Sequence, residues 1–139
     1  MFVELFFLLQ FAGCSRIGTK DLAQQNTIET TVVNLKTNTY DEYIGRGTES
    51  YTHMLTVGIQ PGIEGWLGNP HPIGWCSICR ENHTRTECIS AFRIDFVKAT
   101  NSNVGFRKCV LSLKGKRLGC YCKPEDCHGD VIKEYIESQ

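Results

Sequence analysis

Thr31-Val32-Val33-Asn34-Leu35 is a short β-branched run closed off by the polar stretch Lys36-Thr37-Asn38-Thr39, and it predicts the first core strand. Asp41-Glu42-Tyr43-Ile44-Gly45-Arg46-Gly47 predicts a brief extended piece that ends on an arginine between two glycines. From Thr48 to Pro72, Gly58, Pro61, Gly62, Gly65, Gly68, Asn69 and Pro70 recur too often for a long element, so this stretch reads as a functional loop or an insertion. A helix should start at Thr84-Arg85-Thr86-Glu87, whose Thr and Glu are spaced as a capping box. Ile89, Phe92, Ile94, Phe96 and Val97 follow it, and of these Ile89, Phe92 and Phe96 share one face. A second helix or helical turn runs from Asn103 to Leu113, where Val104, Val110, Leu111 and Leu113 can pack and Gly115 ends it. Lys116 to Cys122 reads as a strand with Leu118, Cys120 and Cys122 on one side, and Pro124 stops it. Asp130 to Ser138 is helical, with Val131, Ile132, Tyr135 and Ile136 on its apolar face and Asp126 or Asp130 at the positive end of its dipole. The order strand, loops, helix, helix, strand, helix predicts an α/β protein: one small domain, its short mixed or parallel sheet flanked by helices.

Ahead of this pattern, residues 1–29 stand apart from the domain at 30–139. Met1 to Cys14 is apolar and closes on Ala12-Gly13-Cys14, in the manner of a short lipoprotein-type signal. Such a signal begins with basic residues, whereas this segment has Glu4 and no Lys or Arg before Arg16. It also falls far short of the roughly 20 residues that span a bilayer, so no transmembrane segment is predicted. A buried apolar segment or a start codon placed too early accounts for it better than export. Gly18 to Glu29 is polar and reads as a connector.

The 139 residues suffice for one self-supporting core. Fifteen basic and fifteen acidic residues cancel, which excludes a protein drawn to nucleic acid or anionic membrane by its overall field. Eight cysteines would suit a secreted disulfide framework, but their spacing points elsewhere. Cys120 and Cys122 are separated by one residue, Cys76 and Cys79 by two, and Cys127 adjoins His128. Those are spacings of metal ligands or reactive thiols, and they favour a reducing, cytoplasmic setting.

The segment from Gly119 to Asp130 concentrates the chemistry. In one reading Cys120, Cys122, Cys127 and His128 form a tetrahedral zinc site, provided that Cys122 has already left the extended strand path. In another, Cys127 is a thiolate at a helix start, with His128 or Asp130 as acid and base. The same helix start can hold a phosphate or carboxylate, with Lys116, Arg117 and Lys123 supplying counter-charge. The plainest reading makes Cys120 and Cys122 small core residues.

Lys114-Gly115-Lys116-Arg117-Leu118-Gly119-Cys120-Tyr121-Cys122-Lys123-Pro124-Glu125-Asp126-Cys127-His128-Gly129-Asp130-Val131 resembles the signature of the domain-of-unknown-function 4326 family. Asp41 to Gly47 and Leu67-Gly68-Asn69-Pro70 agree with two further motifs of that family, and the resemblance extends from Thr30 to Ile136. It implies a small intracellular α/β domain of the kind found in phages, other viruses and microbes, working in the host cytoplasm if the chain is viral. The activity of the family is not established. What carries over is positional: Tyr43, Gly45, Arg46, Asn69 and Pro70 are expected on the ligand side of a cleft, with Arg46 as an anion or base contact. Cys120, Cys122, Cys127, His128 and Asp130 match the third motif, and the three motifs are expected to converge on one cleft. Thr48 to Leu67, and the cysteine-rich piece after Pro70, are longer than the family pattern leads one to expect.

That cysteine-rich piece carries a second candidate site. Cys76-x2-Cys79-x3-His83-x4-Cys88 is one residue away from a zinc-knuckle spacing, a nucleic-acid-binding module. Against a complete knuckle, the capping box would put Cys88 in the first turn of a helix, facing inward. His53 and His71 lie in loops with no partner evident from the sequence. The leading expectation is therefore a domain that binds a nucleotide-like or phosphorylated small ligand at a site built on Cys127-His128. The alternative is a zinc-stabilised, non-enzymatic module whose surface binds protein or nucleic acid. Zinc is the metal that both donor sets fit; whether the domain performs catalysis is left open.

Overall fold

The computed structural model describes residues 28–139, so the expectations for the apolar start and for the connector up to residue 27 lie outside the described residues. In chain order the elements are β1 (Thr31–Asn34), β2 (Glu42–Tyr43), β3 (Gly74–Cys76), β4 (Glu81–His83), α1 (Arg85–Ser102), α2 (Val104–Leu111), β5 (Arg117–Cys120) and α3 (His128–Glu137). They make the small mixed α/β domain that the hydrophobic pattern predicts.

β5 is the central strand. It pairs in parallel with β1, Thr31 opposite Arg117 and Asn34 opposite Cys120, and on its other edge with β2, Tyr43 opposite Gly119. Leu118, Gly119 and Cys120 are accordingly buried, as befits a strand with a neighbour on each side. Arg117 begins the strand by donating from its backbone N–H and its guanidinium to the carboxylate of Asp41, which holds the start of β2 in register. That guanidinium keeps the Asp41 carboxyl below its ordinary range.

The capping box at α1 is complete: the Thr84 hydroxyl accepts from the Glu87 N–H, and the Glu87 carboxylate accepts from the Thr84 N–H. Cys88, Phe92, Phe96 and Thr100 recur every fourth residue along the buried side of α1. Ile94 and Val97, from the same apolar run, face outward. Asn103 joins two helices. Its backbone N–H closes α1 on Ala99 O, and its side chain caps α2 by accepting from Phe106 N–H.

Aromatic rings run through a mainly aliphatic core. Phe92 stacks on Phe96 with ring centroids 5.5 Å apart, and the Phe96 ring meets the edges of Phe106 and Tyr135. Trp66, Leu67 and Ile44 enter this core from the loops. The long stretch after β2 is therefore anchored: Gly47 and Thr52 exchange backbone hydrogen bonds, and Met54 N–H donates to Gly68 O.

The hydrophobic pattern does not show the β3–β4 hairpin, because the pair is short and half exposed. Its turn is closed by Arg80 N–H donating to Cys76 O at 2.8 Å, with Arg80 at φ 59°. Among the described residues, no helix is long and apolar enough to cross a membrane.

Candidate functional site

Parallel strands point their carboxyl ends the same way, and the segments leaving β2 and β5 meet there. Arg46 follows β2, Cys122 follows β5, α3 begins at His128, and Asn69 comes from the long loop. Together they border a cleft of about 320 Å³, which Ser50, Arg85, Cys88, Ile89 and Asp126 also help to line. Arg46 donates from Nε to Asn69 O at 2.7 Å and from Nη1 to Ser50 O at 3.3 Å. Arg85 donates from Nη1 to Asp126 O at 3.1 Å. Both guanidiniums are thus held by backbone carbonyls, and neither forms an ion pair with a carboxylate among the described residues.

Of the residues expected on the ligand side, Arg46 and Asn69 reach the cleft, while Tyr43, Gly45 and Pro70 do not line it. The Tyr43 hydroxyl donates to Arg46 O at 2.6 Å, and a Cβ at Gly45 would lie 2.4 Å from that same hydroxyl. These two residues shape the turn behind Arg46. Pro70 is buried. Sequence reasoning missed Arg85; its place directly after the N-cap of a predicted helix was the available signal.

Three sulfurs converge as expected, those of Cys120, Cys122 and Cys127, within 4.8 Å of one another. The chain leaves β5 after Cys120, which is what brings Cys122 close. Cys120 and Cys127 are joined as a disulfide, so the free thiols that line the cleft are those of the half-buried Cys122 and the buried Cys88, and not that of Cys127. His128, for its part, is not a fourth donor of this group. Its Nε2 lies 2.7 Å from Ile44 O; a carbonyl only accepts, so Nε2 carries the proton and Nδ1 faces Cys127 Sγ at 3.6 Å.

Asp130 and the helix start are also accounted for locally. Asp130 Oδ2 accepts from Cys127 N–H at 3.0 Å and Oδ1 takes the Lys123 ammonium at 2.6 Å, while Gly129 N–H donates to Cys127 Sγ. This is a capping box with cysteine as the cap. The amino end of α3 therefore spends donors on its own side chains. Arg117 and Lys123, expected as counter-charge, are paired with Asp41 and Asp130.

Burial pushes His128 below the ordinary imidazole value of 6.5, against the opposing pull of the Ile44 and Leu67 carbonyls. A depressed folded value means that the unfolded chain takes up this proton first, so stability is intact above about pH 6.5 and declines as the pH falls below it. The slope from this residue approaches about 1.4 kcal/mol per pH unit. Urea midpoints measured on either side of that value should show the decline in the wild type and a flatter profile in His128→Gln.

A second group assembles at the hairpin: His71, Cys76, Cys79 and His83 bring one donor atom each within 4.8 Å of the others. His71 Nδ1 lies 3.3 Å from Cys76 Sγ and 3.4 Å from Cys79 Sγ, and its Nε2 meets Asp95 Oδ2 at 2.5 Å. Burial opposes ionisation of Cys76, but the backbone N–H groups of Cys79 and Ile78 and the His71 ring bring its thiol down to about 6. Cys88, expected as the fourth donor, is not in the group. Its thiol faces inward from the first turn of α1 and donates to His71 O at 3.0 Å. His71 is the donor that sequence reasoning left without a partner. His53 remains a turn residue, its Nδ1 accepting from Leu55 N–H.

The sequence profile of Domain of unknown function (DUF4326) matches residues 29–138, which covers both clusters and the cleft. The chain belongs to this family. An uncharacterized 12.4 kDa protein in the nrdA-td intergenic region of Enterobacteria phage T4 is 38% identical to this DUF4326 chain over 53 residues, 38% of the chain and 49% of the relative. The chain thus spans about half the length of the curated relative it matches. No solved structure matches it.

Proposed function

We propose that this DUF4326 domain binds a small phosphorylated or nucleotide-like ligand in the cleft at the carboxyl ends of β2 and β5. One observation carries the reading. Arg46 and Arg85 border one pocket with both guanidiniums anchored by carbonyls and neither neutralised by a carboxylate. Two cations lining one pocket without a carboxylate partner among the described residues favour an anionic occupant, and a guanidinium fork suits phosphate oxygens. Open parallel sheets place their ligands at this edge. The volume of about 320 Å³ lies at the small end of ligand pockets and suits a sugar phosphate or a nucleoside monophosphate better than a dinucleotide. Ile89 and the half-buried Cys122 supply apolar wall for a base or sugar. A cytoplasmic setting, that of the host if the chain is viral like its phage relative, provides such ligands in quantity.

Titration calorimetry with nucleoside monophosphates, sugar phosphates and inorganic phosphate tests the reading. At least one should bind, with Arg46→Ala and Arg85→Ala each weakening it by roughly 10- to 100-fold, the range for a charge-assisted contact. Binding that is indifferent to both substitutions, or an inert panel, refutes the proposal. The second reading, a metal-held module that acts only through its surface, draws on the histidine-cysteine group at the hairpin and is favoured by the inert outcome.

A further inference from the structure

The group at the hairpin carries an inference of its own. We propose that His71, Cys76, Cys79 and His83 bind one zinc ion, with Asp95 as the outer partner that orients His71. The argument begins with distances. A tetrahedral zinc with ordinary bond lengths holds a nitrogen and a sulfur about 3.6 Å apart. His71 Nδ1 stands 3.3 and 3.4 Å from the two sulfurs. The tautomer fits as well. A carboxylate only accepts, so the Asp95 contact leaves the proton on His71 Nε2 and turns the lone pair of Nδ1 toward the sulfurs.

The remaining donors point the same way. His83 is buried, and its Nε2 has no hydrogen-bond partner among the described residues, a costly state that a metal bond or a bound group would relieve. Cys76 and Cys79 are both free thiols, and the backbone N–H groups of Ile78 and Cys79 face the Cys76 sulfur, an arrangement that suits a thiolate. Two sulfurs and two imidazoles are a donor set that selects zinc among common divalent ions. All four donors come from protein, three of them from the tight β3–β4 hairpin, so the site is closed and structural. His71 ties it to the cleft: its N–H donates to Asn69 Oδ1 at 2.8 Å, and its carbonyl accepts the Cys88 thiol. The metal would thereby brace one cleft wall. The inference is nevertheless independent of what the cleft binds.

Cobalt(II) is the probe. The full chain, reduced and stripped with a chelator, is titrated with cobalt and then with zinc. One equivalent should give the visible bands of tetrahedral cobalt with charge-transfer intensity for two thiolates, and zinc should abolish them. Cys88→Ser and Cys122→Ser should keep the spectrum, whereas His71→Ala should lose it. Asp95→Asn should leave the band positions unchanged and weaken binding by roughly 10- to 100-fold, the usual effect of an outer partner. The proposal fails if the wild type gives no tetrahedral spectrum, if the bands vanish with Cys122→Ser or Cys88→Ser, or if Asp95→Asn binds as tightly as wild type. Should His71→Ala not fold, the sulfur count of the wild type and the Asp95→Asn affinity still decide.

Discussion

Phe92→Ala should lower the stability of the folded domain by about 3–5 kcal/mol, the range for emptying a buried aromatic site. Phe92 is wholly buried, stacks on Phe96 and presents its ring to His128 with centroids 4.9 Å apart. The substitution therefore removes one of the contacts by which α1 supports α3, the one that reaches His128 at the cleft. Because Phe96 and His128 are held by other partners as well, the cavity cannot simply collapse, which favours the upper part of that range. The urea midpoint should fall with little change in slope. Ile94→Ala, on the outward side of the same helix, serves as the control and should stay within about 0.5 kcal/mol of wild type. Equal losses from the two would mean that α1 does not pack as described.

Gly47→Ala is expected to be less costly to stability but damaging for a different reason. A Cβ at Gly47 would lie 2.3 Å from the Glu64 carbonyl oxygen, and beside it Gly65 occupies φ 98° with its own missing Cβ 2.7 Å from Thr52 O. Backbone meets backbone at this neck of the long loop, so no side chain can swing aside. Overpacking of this kind costs about 1–3 kcal/mol, and relief requires the two strands of the neck to separate. Arg46 is adjacent to Gly47 and accepts the Tyr43 hydroxyl at its carbonyl, so the shift reaches the cleft directly. Gly47→Ala should accordingly lose both stability and the anion binding measured by calorimetry. A variant that folds less stably but binds unchanged would show that the neck does not position Arg46.

How much of this was legible in the sequence depends on the range of the signal. Thr84 and Glu87 announced the start of α1 because a capping box is a contact between residues three apart, and Phe92 and Phe96 marked its buried side for the same reason. β1 and β5 were visible as β-branched or alternating runs within a residue or two of their observed ends. The meeting of Arg46, Asn69 and Cys127 in one region followed from the family resemblance, not from periodicity. What stayed hidden was long-range or short-lived in pattern. His71 precedes Pro72 in a loop, and only the fold sets it against Asp95 of α1 and the hairpin sulfurs. Cys88 had a knuckle-like spacing, but the capping box already argued that the helix would turn it inward, and its thiol donates to the His71 carbonyl. Asp130 looked catalytic by its place beside Cys127-His128. The same place is the third helical position, where a carboxylate returns to cap its own helix.

The pairing of the sheet dictates an order of assembly. Among the described residues β1 and β2 pair with no strand except β5, so Thr31 waits for Arg117 and Tyr43 waits for Gly119. Synthesis must pass Cys120 before the parallel sheet can close, whereas the β3–β4 hairpin and the first turns of α1 are contiguous in sequence and can form as they emerge. The hairpin end of the molecule is thus built early from local contacts, and the edge that carries the cleft is completed last, when the final strand slides between two that have been waiting for it.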